Sequence, residues 1–262
     1  DIGLFVEEAT IWVQNDLFGG DLVDKINNRN KADEIRTLYS IIALKAYITA
    51  IPFLDVVQTT NGFAVVTSSN QVPASKERVD KLIAWSTDRL YSHVDRLIEM
   101  ISETPELMTE WKKYRRFAYF TELLFWTGSE YGDYCGTYEA SFKNDSIYSF
   151  TQLHAQHADI VAMQNGVMAH YVSQKYIQSL IEKKRNLQLA DKDKAVYEKL
   201  RFILGLLIKK DDFKAKEMLN DIVSTMMKDL DSYSDYKTSE EYAAWIAARY
   251  QNKQSDSTYF FL

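Results

Sequence analysis

The sequence is poor in whatever interrupts a helix. Three prolines and nine glycines are spread over 262 residues, so long helices meet few breaks. A single cysteine, Cys135, excludes an internal disulfide and a zinc cluster built on cysteines. It reads as a small buried thiol, compatible with a reducing compartment. Positive charge is not in excess. The net charge of −6 provides no basic field to draw phosphate, so nucleic acid is not expected as a main partner. The basic runs "EWKKYRR" and "EKKR" read as solvated helix faces. No apolar run matches a bilayer: "SIIALKAYITAIPFLDVV" carries Lys45, Pro52 and Asp55 and reads as a buried helix, so no membrane partner is expected.

Patterns for chemistry are equally scarce. Neither "FGGD" nor "GSEYGDYCG" has the glycine spacing of a phosphate-binding or dinucleotide-binding loop, and no Gly-x-Ser-x-Gly elbow occurs. The carboxylate pairs in "VEEA" and "SEEY" diverge by about 100° on a helix and mark helix starts better than acid–base pairs. The histidines are His93, His154, His157 and His170. In "HAQH", His154 and His157 lie about 60° apart around a helix and could share a ligand, but His170 is turned away from both. No Glu-x-x-His pair supports a di-metal bundle. His157 also falls beside the stripe through Leu153, Ile160 and Val161. Both histidines are expected to be packed, and no catalytic, cofactor or metal site is expected.

What the sequence does contain is helical periodicity. "LFVEEATIWVQNDLF" offers Leu4, Phe5, Ile11, Trp12 and Phe18 to a core, and Gly19-Gly20 stops it. "DLVDKINN" comes next as a short helix with Asp21 at its N-cap. Residues 31–51 are apolar nearly all round in their second half, which places that helix centrally in a bundle until Pro52 ends it. A helix capped by Ser75 carries the stripe Val79, Ile83, Leu90, Val94, Leu97 and Ile101. Thr104-Pro105 restarts a short one. Residues 114–150 are aromatic and punctuated by glycine; they read as a packed connector, with a capping box in "TGSE" at Thr127–Glu130. Beyond it, "FTQLHAQHADIVAMQNGVMAHYVSQKYIQSLIEKKR" reads as one long helix, kinked near Asn165-Gly166. Two further helices have stripes through Tyr197, Leu200, Leu204 and Leu207, and through Leu219, Ile222, Met226, Leu230 and Tyr233.

The expected fold is therefore all-α, in two similar helical halves, 1–113 and 151–262, joined by the connector 114–150. "TPELMTEW" and "TSEEYAAW" end alike at Trp111 and Trp245, and the order of helices agrees, which points to an internal duplication. One element belongs to the first half alone. In "VVQTTNGFAVVTS" a β-hairpin is expected at about 55–67, turning at Asn61-Gly62. It reads either as a cover over a bundle end or as a place of contact with a partner, which makes Asn61, Gly62 and Phe63 candidate interaction residues. Tyr259, Phe260, Phe261 and Leu262 are a second candidate group. They come after the polar run "NKQSDS" and are expected either to fold back on the protein's own helices or to insert into a neighbour.

"GLFVEEATIWVQNDLFGGDLVDKI", "AIPFLDVVQTTNGFAVVTSSNQVPASKERVDKL" and "TGSEYGDYC" resemble a family of two-part helical proteins from Bacteroides and their phages or prophages. The resemblance is most specific over residues 50–83. The opening helices are similar, more distantly, to the small head–tail connector proteins of tailed phages, which assemble as rings. The resemblance implies a non-enzymatic structural or assembly protein. Its partners would be copies of itself or phage structural proteins, and its location the cytoplasm, or the virion if phage-encoded. The alternative is a host-encoded helical protein with a small-molecule or enzymatic cleft between its halves.

Overall fold

The first helix, α1 (Ile2–Trp12), turns its smallest apolar residue inward. Ala9 is buried, followed by Val13, Leu17 and Phe18, and Phe5 and Trp12 pack against the same core. These residues form the i, i+4, i+7 stripe that faces the protein. Leu4 and Ile11, expected in the core, sit about 100° to one side of it and are exposed. The structure is a computed structural model and describes residues 2–54, 56–59, 62–65, 75–135 and 146–248. It divides into two compact units, Asp1–Ala158 with Arg185–Gln188, and Asp159–Lys184 with Leu189–Leu262.

In the first unit α1 ends in a π-helical turn, Val13–Phe18, where one extra residue is wound into the helix end. The Gly19 N–H donates to the Gln14 carbonyl at 3.0 Å. Gly19 itself lies at φ 86°, ψ 149°, a region that glycine enters without a side-chain clash. The carbonyls released at this end are taken up from a distant turn. The Tyr114 hydroxyl donates to Asn15 O at 2.6 Å and Arg116 Nη1 to Asp16 O at 3.0 Å. α2 (Gly20–Arg29) then starts from Gly19, not from Asp21, which lies inside the first turn where its charge suits the helix dipole.

α3 (Ala32–Ala50) packs between α1 and α4 (Lys76–Glu103). It buries Leu38, Ile41 and Ile42, and α4 buries Leu90, Val94, Leu97 and Ile101. Ser75 and Thr104 occupy the expected N-cap positions, the latter before Pro105, but neither side chain makes a capping hydrogen bond. A 3₁₀ turn at Ile51–Phe53, containing Pro52, ends α3. Beyond it β1 (Val56–Thr59) runs antiparallel to β2 (Gly62–Val65), Val56 opposite Val65 and Thr59 opposite Gly62. Apart from this pair, the described residues form helices and their connections, and the fold class is all-α.

Residues 114–150 do not stand apart as a connector. After α5 (Pro105–Trp111) come α6 (Phe117–Thr121), α7 (Gly128–Cys135) and α8 (Ser146–Ala155). Phe117, Phe120, Trp126 and Phe150 join the core cluster of α1–α5, so the boundary falls between Ala158 and Asp159. Trp111 is fully buried and meets Phe18, Phe117 and Phe120 at ring-centroid distances of 6.2, 5.3 and 6.2 Å.

The long helix expected over 150–185 is interrupted. α9 (His157–Ala162) begins after a break at Gln156 and leads into a second π turn, Met163–Met168, at the place of the expected kink near Asn165-Gly166. α10 (Ala169–Val172) stops at Ser173, φ 74° and ψ 139°, and α11 (Gln174–Arg185) restarts. α12 (Asp191–Ile208) and α13 (Asp212–Lys228) pack together, burying Tyr197, Leu200, Leu204 and Leu207 against Leu219, Ile222 and Met226. A 3₁₀ turn, Leu230–Tyr233, α14 (Ser234–Lys237) and α15 (Glu240–Ala248) complete the described part.

Along the chain a similar order runs twice, helix, π turn, positive-φ break, short helix, left-handed residue, long helix, long helix, with α10 interposed before the break in the second run. Both π turns open on an apolar residue followed by Gln-Asn, in "VQNDLF" and "MQNGVM". The tryptophan anchors do not match. Trp111 is enclosed, whereas Trp245 is 39% exposed, so the recurrence lies in the backbone breaks.

These breaks make two neighbouring glycines behave oppositely. A Cβ on Gly19 would lie 3.1 Å from Tyr114 Cδ2 at a positive φ, whereas one on Gly20 meets nothing within 4 Å. Urea unfolding should show Gly19→Ala destabilised by about 1–3 kcal/mol. Gly20→Ala, at an open helical position, should be unchanged or more stable by up to about 1 kcal/mol.

Candidate functional site

The start of α7 is built by three residues acting together. Thr127 Oγ1 accepts from the Glu130 N–H at 3.0 Å, and Glu130 Oε2 accepts from the N–H groups of Trp126 and Thr127. This is the capping box expected at "TGSE". The remaining orphan donors reach across to α4. Asp95 Oδ1 accepts from Gly128 N at 2.9 Å, and Oδ2 accepts from Ser129 N and Oγ at 2.8 and 2.9 Å. Burial raises the Asp95 carboxyl to about 6, against the lowering pull of these hydrogen bonds. The other face of α7 meets α8 almost without clearance. A Cβ on Gly128 would lie 2.5 Å from the Phe150 backbone nitrogen, and one on Gly132 2.8 Å from Ser149 Oγ.

The histidine pair closes around Tyr119. His154 Nδ1 lies 3.2 Å from the Tyr119 hydroxyl, and His157 Nε2 lies 3.0 Å from the Tyr119 carbonyl and 3.2 Å from Glu122 Oε1. Both imidazoles stack on the phenol ring, at 5.5 and 4.1 Å between centroids. The i, i+3 spacing that suits a shared metal here clasps an aromatic residue of α6. Burial lowers His154 to about 4, helped by the nearby His157 and Arg116. Among the described residues no group of three or more His, Cys, Asp or Glu is placed to hold a metal ion.

Exposed apolar side chains gather at one end of the first unit. Phe5 and Phe53 bring α1 and the close of α3 together, with ring centroids 5.7 Å apart. Beside them Leu4, Phe53 and Leu54 are 59%, 61% and 62% exposed. Of the nominated interaction residues, Gly62 and Phe63 lie in β2, which comes shortly after this end in the chain. Asn61, Tyr259, Phe260, Phe261 and Leu262 lie outside the described residues. Leu4 and Leu54 were missed as surface residues because apolar character alone reads as core. The signal available was their position, one step off the inward stripe and directly after Pro52-Phe53.

The fold defines an all-α protein in which, among the described residues, no helix is long and apolar enough to cross a membrane. Residues 3–121, a little under half of the chain, match a family described as a family of unknown function (DUF6712). The matched span runs from α1 to the end of α6 and holds the whole first run of repeated elements. No curated protein and no solved structure matches the chain.

Asp95 and His154 titrate with opposite consequences. The folded carboxyl, near 6 against 3.8, holds its proton more tightly than the unfolded one. Its contribution is largest below about pH 4 and is lost as pH rises to 6. The folded imidazole, near 4 against 6.5, contributes above pH 6.5 and loses that as pH falls to 4. Relative to wild type, Asp95→Asn should lose stability on going from pH 6.5 to 4, and His154→Phe should gain it. Each difference should be at most roughly 3 kcal/mol in urea titrations at the two pH values.

Proposed function

We propose that the chain is a non-enzymatic assembly protein, a connector-like component of a phage or prophage head–tail junction. It would act through contacts with copies of itself or with other virion proteins. The observation that carries this reading is the exposed apolar end formed by Leu4, Phe53 and Leu54 beside the hairpin. Contiguous apolar surface left in water on a folded protein marks a contact site more often than scattered single residues do. The likeness of the opening helices to ring-forming connectors supplies the kind of contact. Synthesis in the cytoplasm followed by entry into a particle is the corresponding location.

Light scattering on the full chain, alone and with the products of flanking genes, is the test. A discrete oligomer, or a complex with a portal, capsid or tail protein, is expected, and Leu54→Asp should weaken it by about tenfold or more. A chain that stays monomeric at every concentration and binds no structural partner would remove this reading.

A further inference from the structure

We propose that residues 185–188 act as a strap that closes over the turn between α5 and α6 and, through that turn, holds the end of α1 in place. The chain returns to the first unit for these four residues alone, between stretches assigned to the second. Their partners lie on the turn and its flanks. The Arg185 Nε–H donates to Thr121 Oγ1 at 3.0 Å, and the same hydroxyl donates to the Phe117 carbonyl at 2.7 Å. Arg185 Cζ lies 5.4 Å from the centroid of the Phe117 ring. Lys112 Nζ donates to Asn186 Oδ1 at 2.6 Å. Thr121 is fully buried and closes the family-matched span, so a side chain from outside that span completes it. A charge-assisted bond to a buried hydroxyl is among the stronger ones, and its loss leaves the oxygen one partner short.

The turn needs holding from outside. It reads "KKYRR" over Lys112–Arg116, and like charges this close together favour opening. Between the strap's contacts in the chain stand Tyr114 and Arg116, which donate to the carbonyls of Asn15 and Asp16. A segment gripped at 112, 117 and 121 has little freedom to shift at 114 and 116, so the strap and the end of α1 are coupled through shared backbone. The strap also carries strain. α11 stops at Arg185, and Leu187 takes φ 56°, in the left-handed region that a helix end usually gives to glycine or asparagine. The Cβ of a leucine disfavours it there. Leu187 is 40% exposed, so burial of its own side chain does little to hold it. Such a residue persists where its neighbours fix it, and here the neighbours are the two that touch the turn.

Amide hydrogen exchange on the full chain, followed by NMR, tests the strap. The Phe117 and Phe120 amides report the turn, and the Gly19 amide reports the end of α1. Arg185→Ala should lower protection at all three by about tenfold or more. Leu97 in α4 and Leu204 in α12 should stay within about twofold. Asn186→Ala, an exposed change, should give the same order with a smaller loss, and serves where Arg185→Ala does not fold. In a Tyr114→Phe background, which cuts the link to Asn15, Arg185→Ala should move Gly19 by a smaller factor than in wild type. An equal factor there, or a loss at Phe117 and Phe120 with Gly19 unmoved, would overturn the coupling to α1. A loss at Leu97 as large as that at Gly19 would make the segment ordinary support for the whole unit and overturn the strap. No change at any of these amides would overturn it outright.

Discussion

Two backbone carbonyls at the end of the first helix hold the first unit together. A helix end leaves its last carbonyls without partners, and the π turn at Val13–Phe18 directs those of Asn15 and Asp16 toward the turn after α5. There the Tyr114 hydroxyl and the Arg116 guanidinium take them up. The approach is close enough that a side chain on Gly19 would crowd the Tyr114 ring. With that end pinned, α2 leaves in a set direction and delivers Arg29 between Glu34 of α3 and Glu106 of α5, at 3.1 and 3.0 Å. Trp111, three residues before Tyr114, fills the space behind the turn. Helix start, helix end and core anchor thus share one short stretch of chain.

A second close approach, between α7 and α8, brings in the aromatic middle of the sequence. Gly128 and Gly132 let α8 lie against α7, and Phe150 of α8 stacks on Tyr91 of α4 at 4.4 Å. Asp95, one turn further along α4, then satisfies the open end of α7. The carboxylate resists its burial, but an unpaired helix start at the same place would leave several buried donors without acceptors. A stretch that looks loosely patterned in sequence is therefore locked by glycine contact and a buried acceptor.

Legibility in the sequence tracked the range of the interactions involved. The capping box at Thr127–Glu130 was readable because all its partners lie within four residues. The stripe Tyr197, Leu200, Leu204 and Leu207 was readable because periodicity alone places it inward. Asp95 gave no such signal, since its partners are 33 and 34 residues away. Ser173 gave a misleading one: a serine in an apolar-periodic run does not announce φ 74°, and its cap on the Tyr176 N–H at 2.9 Å appears only once the helix has broken. Leu4, read as core, is surface because Phe5 and Ala9 define the inner edge. At the candidate contact site, a hairpin at about 55–67 was visible in the sequence, but Gly62, read as a turn residue, pairs with Thr59 inside the ladder. The exposed leucines beside the hairpin required the packing of α1 on α3.

The two π turns differ in how far each lies from its break. In the first unit the positive-φ residue, Gly19, comes immediately after the turn; in the second, the four residues of α10 intervene before Ser173. Four helical residues advance the chain by about 6 Å and rotate it by roughly 40° beyond a full turn. The helix that restarts after Ser173 is therefore shifted in phase relative to its counterpart after Gly19. Repeated parts set out of phase present different outlines to the surroundings. A molecule shaped to grip the helices after one break would not find the same grip after the other, so a chain that runs twice through a similar order of breaks can still offer two unlike surfaces.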